Sequence, residues 1–488
     1  MNTRIALAGT LVLILLGFFS FVFYLDRYPP PYFDDCVYNE PAIRIHDGLT
    51  FAWPMASAAP FGKTVWAYHS PFFPHLQVLT FRSLGVSTFA CRIPQWVAVF
   101  AAVFLLSAIL IRFQCFWCAI LVPLFWLGDR SLVESLYGRM DGLALLFLVA
   151  SFGWFTRWLT TWNALALFWT GLFVGIAIGF HPVALVFLIG LGTASLFLCP
   201  SGSHRAIAYF GVGATIPAGV IATFVAPHFR EAIQQFVWHA HLAKRSNWLA
   251  NFWNLIVILR WSRYWAIALI AVTLLFLLPT VVWVGFRYRS IVNKGRALVL
   301  SSSLFALLGC IVLFSVSQLP YYLIYFSVWP TVAVLVMLET NILGDKLGRA
   351  ARIAVAVLVI AWLPSAAWNA MRWREARIFY PLFDSTSFVE RVQNAVPTDA
   401  DIEVSPEYFI LSRRLGRSIV RPPLASAPEL PPRSWLILSD KDLERLGGRR
   451  ASGLSDRGIA YSGPLYPLSS AGGYFTVFGP AAAGLSSE

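Results

Sequence analysis

Segment after segment of this chain runs for close to twenty residues with almost no charge, beginning with "IALAGTLVLILLGFFSFVFYL" at 5–25. A helix needs about 20 apolar residues to cross the hydrocarbon core of a bilayer, and only helices or closed barrels satisfy their backbone hydrogen bonds there. The pattern recurs at 94–112, 115–128, 141–158, 163–180, 182–199, 206–227, 264–286, 297–316, 320–338 and 353–371. The expectation is a polytopic α-helical membrane protein of about eleven transmembrane helices. A chain of 488 residues that is 58% apolar and 12% charged also has too little polar surface for a water-soluble domain. The span 115–128 is short for a crossing. "GFHPV" at 179–183 reads either as a tight turn between two helices or as a kink in one, because Pro182 lacks a backbone donor.

No small-residue cleavage site follows the first segment, so it is expected to remain as the first transmembrane helix. The net charge of +13 would suit nucleic acid, but no basic run with interleaved aromatics supports that. The basic residues instead orient the chain. "RYRSIVNKGR" (287–296) and "DKLGRAAR" (345–352) are short, basic and expected in the cytoplasm. The loop 26–93, the stretch 128–140, the loop 228–263 and the tail from 372 then face the other side. "RWREAR" (372–377) runs against this, although long segments obey the charge rule poorly. The 20 Trp and 17 Tyr suit interfacial belts. "CFWC" (115–118) has no second pair or nearby His to complete a zinc site. Cys36 and Cys91 share one loop, which leaves a disulfide open if that loop is outside the cytoplasm.

The domains are expected to be a transmembrane unit over 1–371 and an extracytoplasmic α/β unit over 372–488. In the second, "STSFVERVQNAV", "SPEYFILSRRLG" and "DKDLERLG" read as helices, and "DIEV", "SWLILS", "GIAYSG" and "YFTVFG" as strands. The end, "PAAAGLSSE", reads as a disordered tail.

"YPPPYFDDCVYNEPAIRIHDG" (28–48) follows the first apolar segment and sets Asp34 and Asp35 at the membrane edge, with Glu40 behind them. Adjacent loop acids are ordinarily just solvated. Here "YPPP" stiffens the exit from the helix and keeps them near the bilayer. "CVYNEPAIRI" and "SPFFPHLQVLTFRSL" (70–84) are apolar enough to lie along the interface as short helices. In "SLVESLYGRMDGLALLFLVA" (131–150), Arg139 and Asp141 sit where a helix begins. Asp141 can be a plain N-terminal cap; with Arg139 it can also fix a phosphate or orient a neighbouring acid. "FVWHAHLAKR" (236–245) reads as an amphipathic interfacial helix whose bases meet lipid headgroups, a geometry that would equally place a lipid phosphate. His46 and His181 have no evident partner and read as structural.

Taken in order, these stretches resemble the membrane-embedded GT-C glycosyltransferases, particularly those like protein O-mannosyltransferases and the lipid A aminoarabinose transferase. The resemblance rests on the acidic pair after the first helix, "HSPFF" at 69–73, "GRMDGLALLF" at a helix opening and the Tyr-rich "LPYYLIYFSVWP" (319–330). It covers about residues 1 to 340. The family often carries Asp-Glu where this chain has Asp34-Asp35, and Gln318 stands where basic residues are common. The resemblance implies a polyprenyl-phosphate sugar donor, a glycan, lipid or protein acceptor, and reaction on the extracytoplasmic face with inversion at carbon 1. Asp34 would take the acceptor's proton, and Asp35 would orient the acceptor or assist with a divalent metal ion. Adjacent carboxylates point to different sides, so one shared metal is not implied. Arg139, His239, His241, Lys244 and Arg245 would offset the departing phosphate. Glu40, His69, Asp141, Tyr321 and Tyr322 complete the expected substrate-binding set. The alternative is a transporter or lipid-linked oligosaccharide flippase, but those keep charges near the midplane and often show repeats. Here the acids cluster at helix ends. A third reading is a non-catalytic assembly protein whose tail binds partners.

Overall fold

The computed structural model describes residues 3–29, 33–52, 65–66, 70–199, 205–243, 257, 262–287, 293–315, 320–340, 344–380, 386–405, 408–415, 419–420, 434–445, 454, 457–464 and 474–481. Among them, eight helices are long and apolar enough to cross a membrane. Three shorter apolar helices, Phe116–Leu127, Ala164–Phe180 and Pro182–Leu198, fall on the remaining expected segments.

Helix α1 (Thr3–Val22) leads to three short helices: α2 (Phe33–Val37), α3 (Glu40–His46) and α4 (Phe72–Leu84). The last two occupy the stretches expected to lie along the interface. Then come α5 (Thr88–Arg112), α6 (Phe116–Leu127), α7 (Arg130–Glu134), α8 (Asp141–Thr161) and α9 (Ala164–Phe180). At His181 the backbone turns extended, and a single 3-10 turn, Pro182–Ala184, precedes α10 (Leu185–Leu198), so "GFHPV" is a break rather than a kink. Helices α11 (Arg205–Val225) and α12 (Phe229–Ala243) follow.

Helix α6 has 12 residues, about 18 Å at the helical rise and well short of a roughly 30 Å core. Its exposed N-terminal donors are met inside the protein. The Glu339 carboxylate accepts from Trp117 N at 3.0 Å and Cys118 N at 2.9 Å, placing a negative charge at the positive helix end. All six cysteines are free thiols, so Cys36 and Cys91 form no disulfide.

Glycines set the closest crossing. A Cβ on Gly171 of α9 would meet Phe210 O at 2.1 Å, and one on Gly213 of α11 would meet Phe168 O at 2.1 Å. Lipid supplies no hydrophobic drive between helices, so close backbone approach carries the association. Gly171→Val is expected to destabilise the protein by about 3 kcal/mol, the cost of overpacking. An unchanged unfolding midpoint in detergent would show that the helices do not meet there.

Helices α5 and α8 run side by side in the same direction, since Gly142 abuts Gln95 and Val99 while Gly153 abuts Ile109. One end of this pair therefore carries Arg92 and Asp141; the other carries Arg112 and Thr161. Later in the chain, the helix Lys294–Ser315 runs to a 3-10 turn, Pro320–Tyr325, and then to Val328–Thr340. The long helix Gly344–Phe379 is tied back by Asn369, whose Nδ2 donates to Leu127 O at 2.9 Å and Asp129 O at 2.7 Å.

After this helix comes a five-stranded sheet: β1 (Ile402–Val404), β2 (Ile419–Val420), β3 (Trp435–Ser439), β4 (Arg457–Pro464) and β5 (Tyr474–Ala481), in the order β2-β1-β3-β5-β4. β1 pairs in parallel with β2 and β3, whereas β5 is antiparallel to β3 and β4. Four strands fall on the expected stretches. β2, at two residues, is too short to show a pattern. The expected loose tail starts with Pro480 and Ala481, which end β5, and residues 482–488 lie outside the described residues. Phe409 and Ile410 pack with Cys36 and Val37, and Arg413 Nη1 reaches Asp47 Oδ2 at 2.7 Å. The sheet unit thus rests on the segment that carries the two acids.

Candidate active site

Asp34 and Asp35 both lie in the first turn of α2. Successive helical positions diverge in direction, so the two carboxylates reach different partners. Asp35 and Arg92 are both 0% exposed. Arg92 Nε donates to Asp35 Oδ1 at 3.0 Å and Nη2 to Oδ2 at 2.6 Å, a two-pronged pair, and Gly138 N donates to Oδ1 at 2.7 Å. Arg92 Nη1 also reaches the carbonyls of Leu25 at 3.0 Å and Pro29 at 2.8 Å. One buried cation thereby pins the exit of α1 and the start of α2 to α5. Asn39 strengthens the knot: its Nδ2 donates to Asp35 O at 3.0 Å and Gly138 O at 2.9 Å.

Asp34 faces the other way. Its Oδ2 accepts from Arg139 Nη1 at 2.8 Å. Arg139 Nε donates to Asp141 Oδ2 at 2.7 Å, and Asp141 Oδ1 accepts from Tyr325 OH at 3.0 Å. His181 Nε2 lies 3.8 Å from the same Asp141 oxygen. The Arg139 guanidinium sits over the rings of Tyr321 at 4.2 Å and Tyr38 at 4.9 Å, so aromatic faces share its charge. Arg139 Nη2 is buried without a hydrogen-bond partner among the described residues. Leaving such a donor unpaired costs about 1–3 kcal/mol, and an anion supplying an acceptor would recover it.

Burial pushes the Asp34 carboxyl above the usual carboxylate range, with Arg139 opposing through charge and hydrogen bond, and Asp35 and Asp141 adding to the rise. Burial disfavours the Arg139 charge, but Asp141, Tyr38 and Asp34 hold it protonated. The result is a carboxylate of raised basicity beside a fixed cation.

Of the residues expected from sequence, Asp34, Arg139, Asp141 and Tyr321 come together in one buried cluster, and the ring of Tyr322 lies 5.6 Å from that of His181. Asp35 sits beside the cluster in its own ion pair with Arg92. Glu40 is buried in the first turn of α3. His239 and His241 lie in α12, but their side chains fall outside the described residues, as do His69, Lys244 and Arg245 altogether. His46, read from sequence as having no evident partner, pairs with Asp47 at 3.1 Å. His181, read the same way, instead joins the cluster. Arg92 and Tyr325 were missed too. A lone Arg opening the apolar run "FACRIPQW" was the available signal, since an ionisable group at membrane depth needs a partner. Tyr325 follows Tyr321 by one helical turn.

No three His, Cys, Asp or Glu side chains among the described residues could hold a metal ion together. Asp34 and Asp35 each face an arginine instead, so this donor set does not fit a divalent ion. Next to the cluster, Tyr38, Ser70, Phe73, Met140 and Phe180 border a recess of about 10 Å³, room for little more than one water.

No family model matches the sequence, and no curated protein matches it. Solved structures do. ArnT from Cupriavidus metallidurans bound to undecaprenyl phosphate aligns over 100% of both chains, with 12% identity and a TM-score of 0.59. The apo state of ArnT aligns over 96% of this chain and 97% of that one, with 12% identity and a TM-score of 0.58. The archaeal oligosaccharyltransferase AglB from Archaeoglobus fulgidus, with an inhibitory peptide and a dolichol-phosphate, covers 89% of this chain and 70% of its own at 11% identity and a TM-score of 0.44.

Proposed function

We propose, from a chain folded as the GT-C membrane glycosyltransferases are, that this protein moves a sugar from a polyprenyl-phosphate donor to an acceptor hydroxyl on the extracytoplasmic face. The observation that carries the reading is Asp34, turned inward onto Arg139 at one end of the helical bundle rather than out into solvent. The acceptor O–H gives its proton to Asp34. The acceptor oxygen then bonds to the anomeric carbon from the face opposite the phosphate. The bond from that carbon to the phosphate oxygen breaks, and polyprenyl phosphate leaves with the electron pair, giving inversion. A phosphate is a good leaving group and needs no general acid. Arg139 Nη2, a buried donor without a hydrogen-bond partner among the described residues, is offered to a phosphate oxygen, where a fixed cation offsets the charge that develops. Asp35 positions: its ion pair with Arg92 holds α2, and with it Asp34, in place. The recess beside Tyr38 is far smaller than a sugar ring, so donor entry requires it to open.

The acceptor is a glycan, lipid or protein. Mass spectrometry of cell-envelope glycans and glycoproteins, with and without the protein, tests the reading: loss of one glycosyl substituent supports it, and unchanged profiles overturn it. A pH profile tests the base. Asp34 acts only when ionised, and its carboxyl is raised by burial, so activity is expected to fall, as pH drops, at a higher pH than an ordinary aspartate would give. A profile flat down to the usual carboxylate range would exclude Asp34 as the titrating base.

A further inference from the structure

A cavity of about 670 Å³ opens between α5, α8 and α9, and its lining shares no residue with the Asp34 cluster. Its place follows from the shared direction of α5 and α8, which puts Arg112 and Arg157 at the end opposite Arg92 and Asp141. Leu105, Ile109, Leu146 and Phe147 form part of its apolar wall. Arg112, Arg157 and Lys294, all exposed, border it, and among the described residues no Asp or Glu does. From Phe147 to Arg157 along α8 is about 15 Å at the helical rise, the depth of one hydrocarbon leaflet of a roughly 30 Å core.

We infer that this cavity binds an anionic phospholipid of the leaflet on that side, its acyl chain along the apolar wall and its phosphate among the three cations. The inference stands apart from the transferase reading, since it uses none of the Asp34 cluster. Charge argues for the occupant. Three like charges around one apolar mouth repel one another, and a phosphate among them turns that repulsion into attraction. Arg112, in the last turn of α5, suits its own helix dipole. Lys294 heads its helix, where the dipole disfavours a cation, so its placement calls for an outside anion. A zwitterionic lipid would fill the same groove but bring its own cation towards these three. Trp154 lines the cavity with Arg157 over its ring at 5.1 Å, an aromatic suited to the headgroup level.

The test is native mass spectrometry of the full chain in detergent with equimolar phosphatidylglycerol and phosphatidylcholine of matched acyl chains. The wild type is expected to retain one phosphatidylglycerol in about a hundredfold preference, as three interfacial cations would provide. The triple variant R112Q/R157Q/K294Q is expected to bring the two lipids to parity. No preference in the wild type, or an undiminished preference in the triple variant, overturns the inference. So does displacement of the lipid by an equal concentration of glycerol phosphate, which would make the site one for phosphate alone. Should the triple variant not be recovered folded, Arg157→Gln is read instead: a preference reduced about fivefold supports the site, and an unchanged one overturns it.

Discussion

Asp34→Asn is expected to lower sugar transfer in membranes by two to four orders of magnitude, the range of a lost general base. The amide keeps the size of the side chain and an oxygen that can still accept from Arg139 Nη1, now 2.8 Å from Asp34 Oδ2. Arg139 also retains Asp141 as its counter-charge at 2.7 Å. The fold should therefore lose no more than about 1 kcal/mol, the net worth of an ordinary hydrogen bond, and the deficit should appear in rate rather than in yield of folded protein. Transfer surviving within a few-fold of wild type would remove Asp34 from the chemistry. It would also leave the cluster as a purely structural knot, because Asp141 is already engaged by Arg139 and Tyr325.

The largest effect on stability is expected at a residue that touches no substrate. Arg92→Met would take from the buried Asp35 carboxylate its paired cation, and breaking one side of a buried ion pair typically costs about 3–5 kcal/mol. It would also release the carbonyls of Leu25 and Pro29 that Arg92 now satisfies, freeing the link between α1 and α2. The double variant Arg92→Met/Asp35→Leu removes the stranded charge and should recover much of that stability. Activity should not recover with it, since α2 would no longer be held by the pair. Unfolding midpoints in detergent separate the two effects. A single variant as stable as wild type, or a double variant worse than the single, would mean that this pair does not hold the loop.

The apolar segments were legible because crossing a bilayer is a local demand: each segment must be long and apolar by itself, whatever its neighbours do. The short helices α3 and α4 and four of the five strands were readable for the same reason, through patterns of a few residues. The partnerships of the charged residues were not. Asp34 meets Arg139 across 105 positions, Asp35 meets Arg92 across 57, and Asp141 meets Tyr325 across 184. Nothing in the spacing of the letters distinguishes the acid that Arg92 neutralises from the one that Arg139 holds.

By itself the sequence determined the membrane-spanning class, the order of the helices and the stretches that put acids at helix ends, since these follow from length, apolarity and turn chemistry along short windows. Only the tertiary structure decided that one of two neighbouring carboxylates is locked into an ion pair while the other lies beside a half-satisfied arginine. The reason is desolvation. Inside a packed bundle each charge must find its partner, and which partner it finds depends on how far helices distant in sequence are turned about their axes.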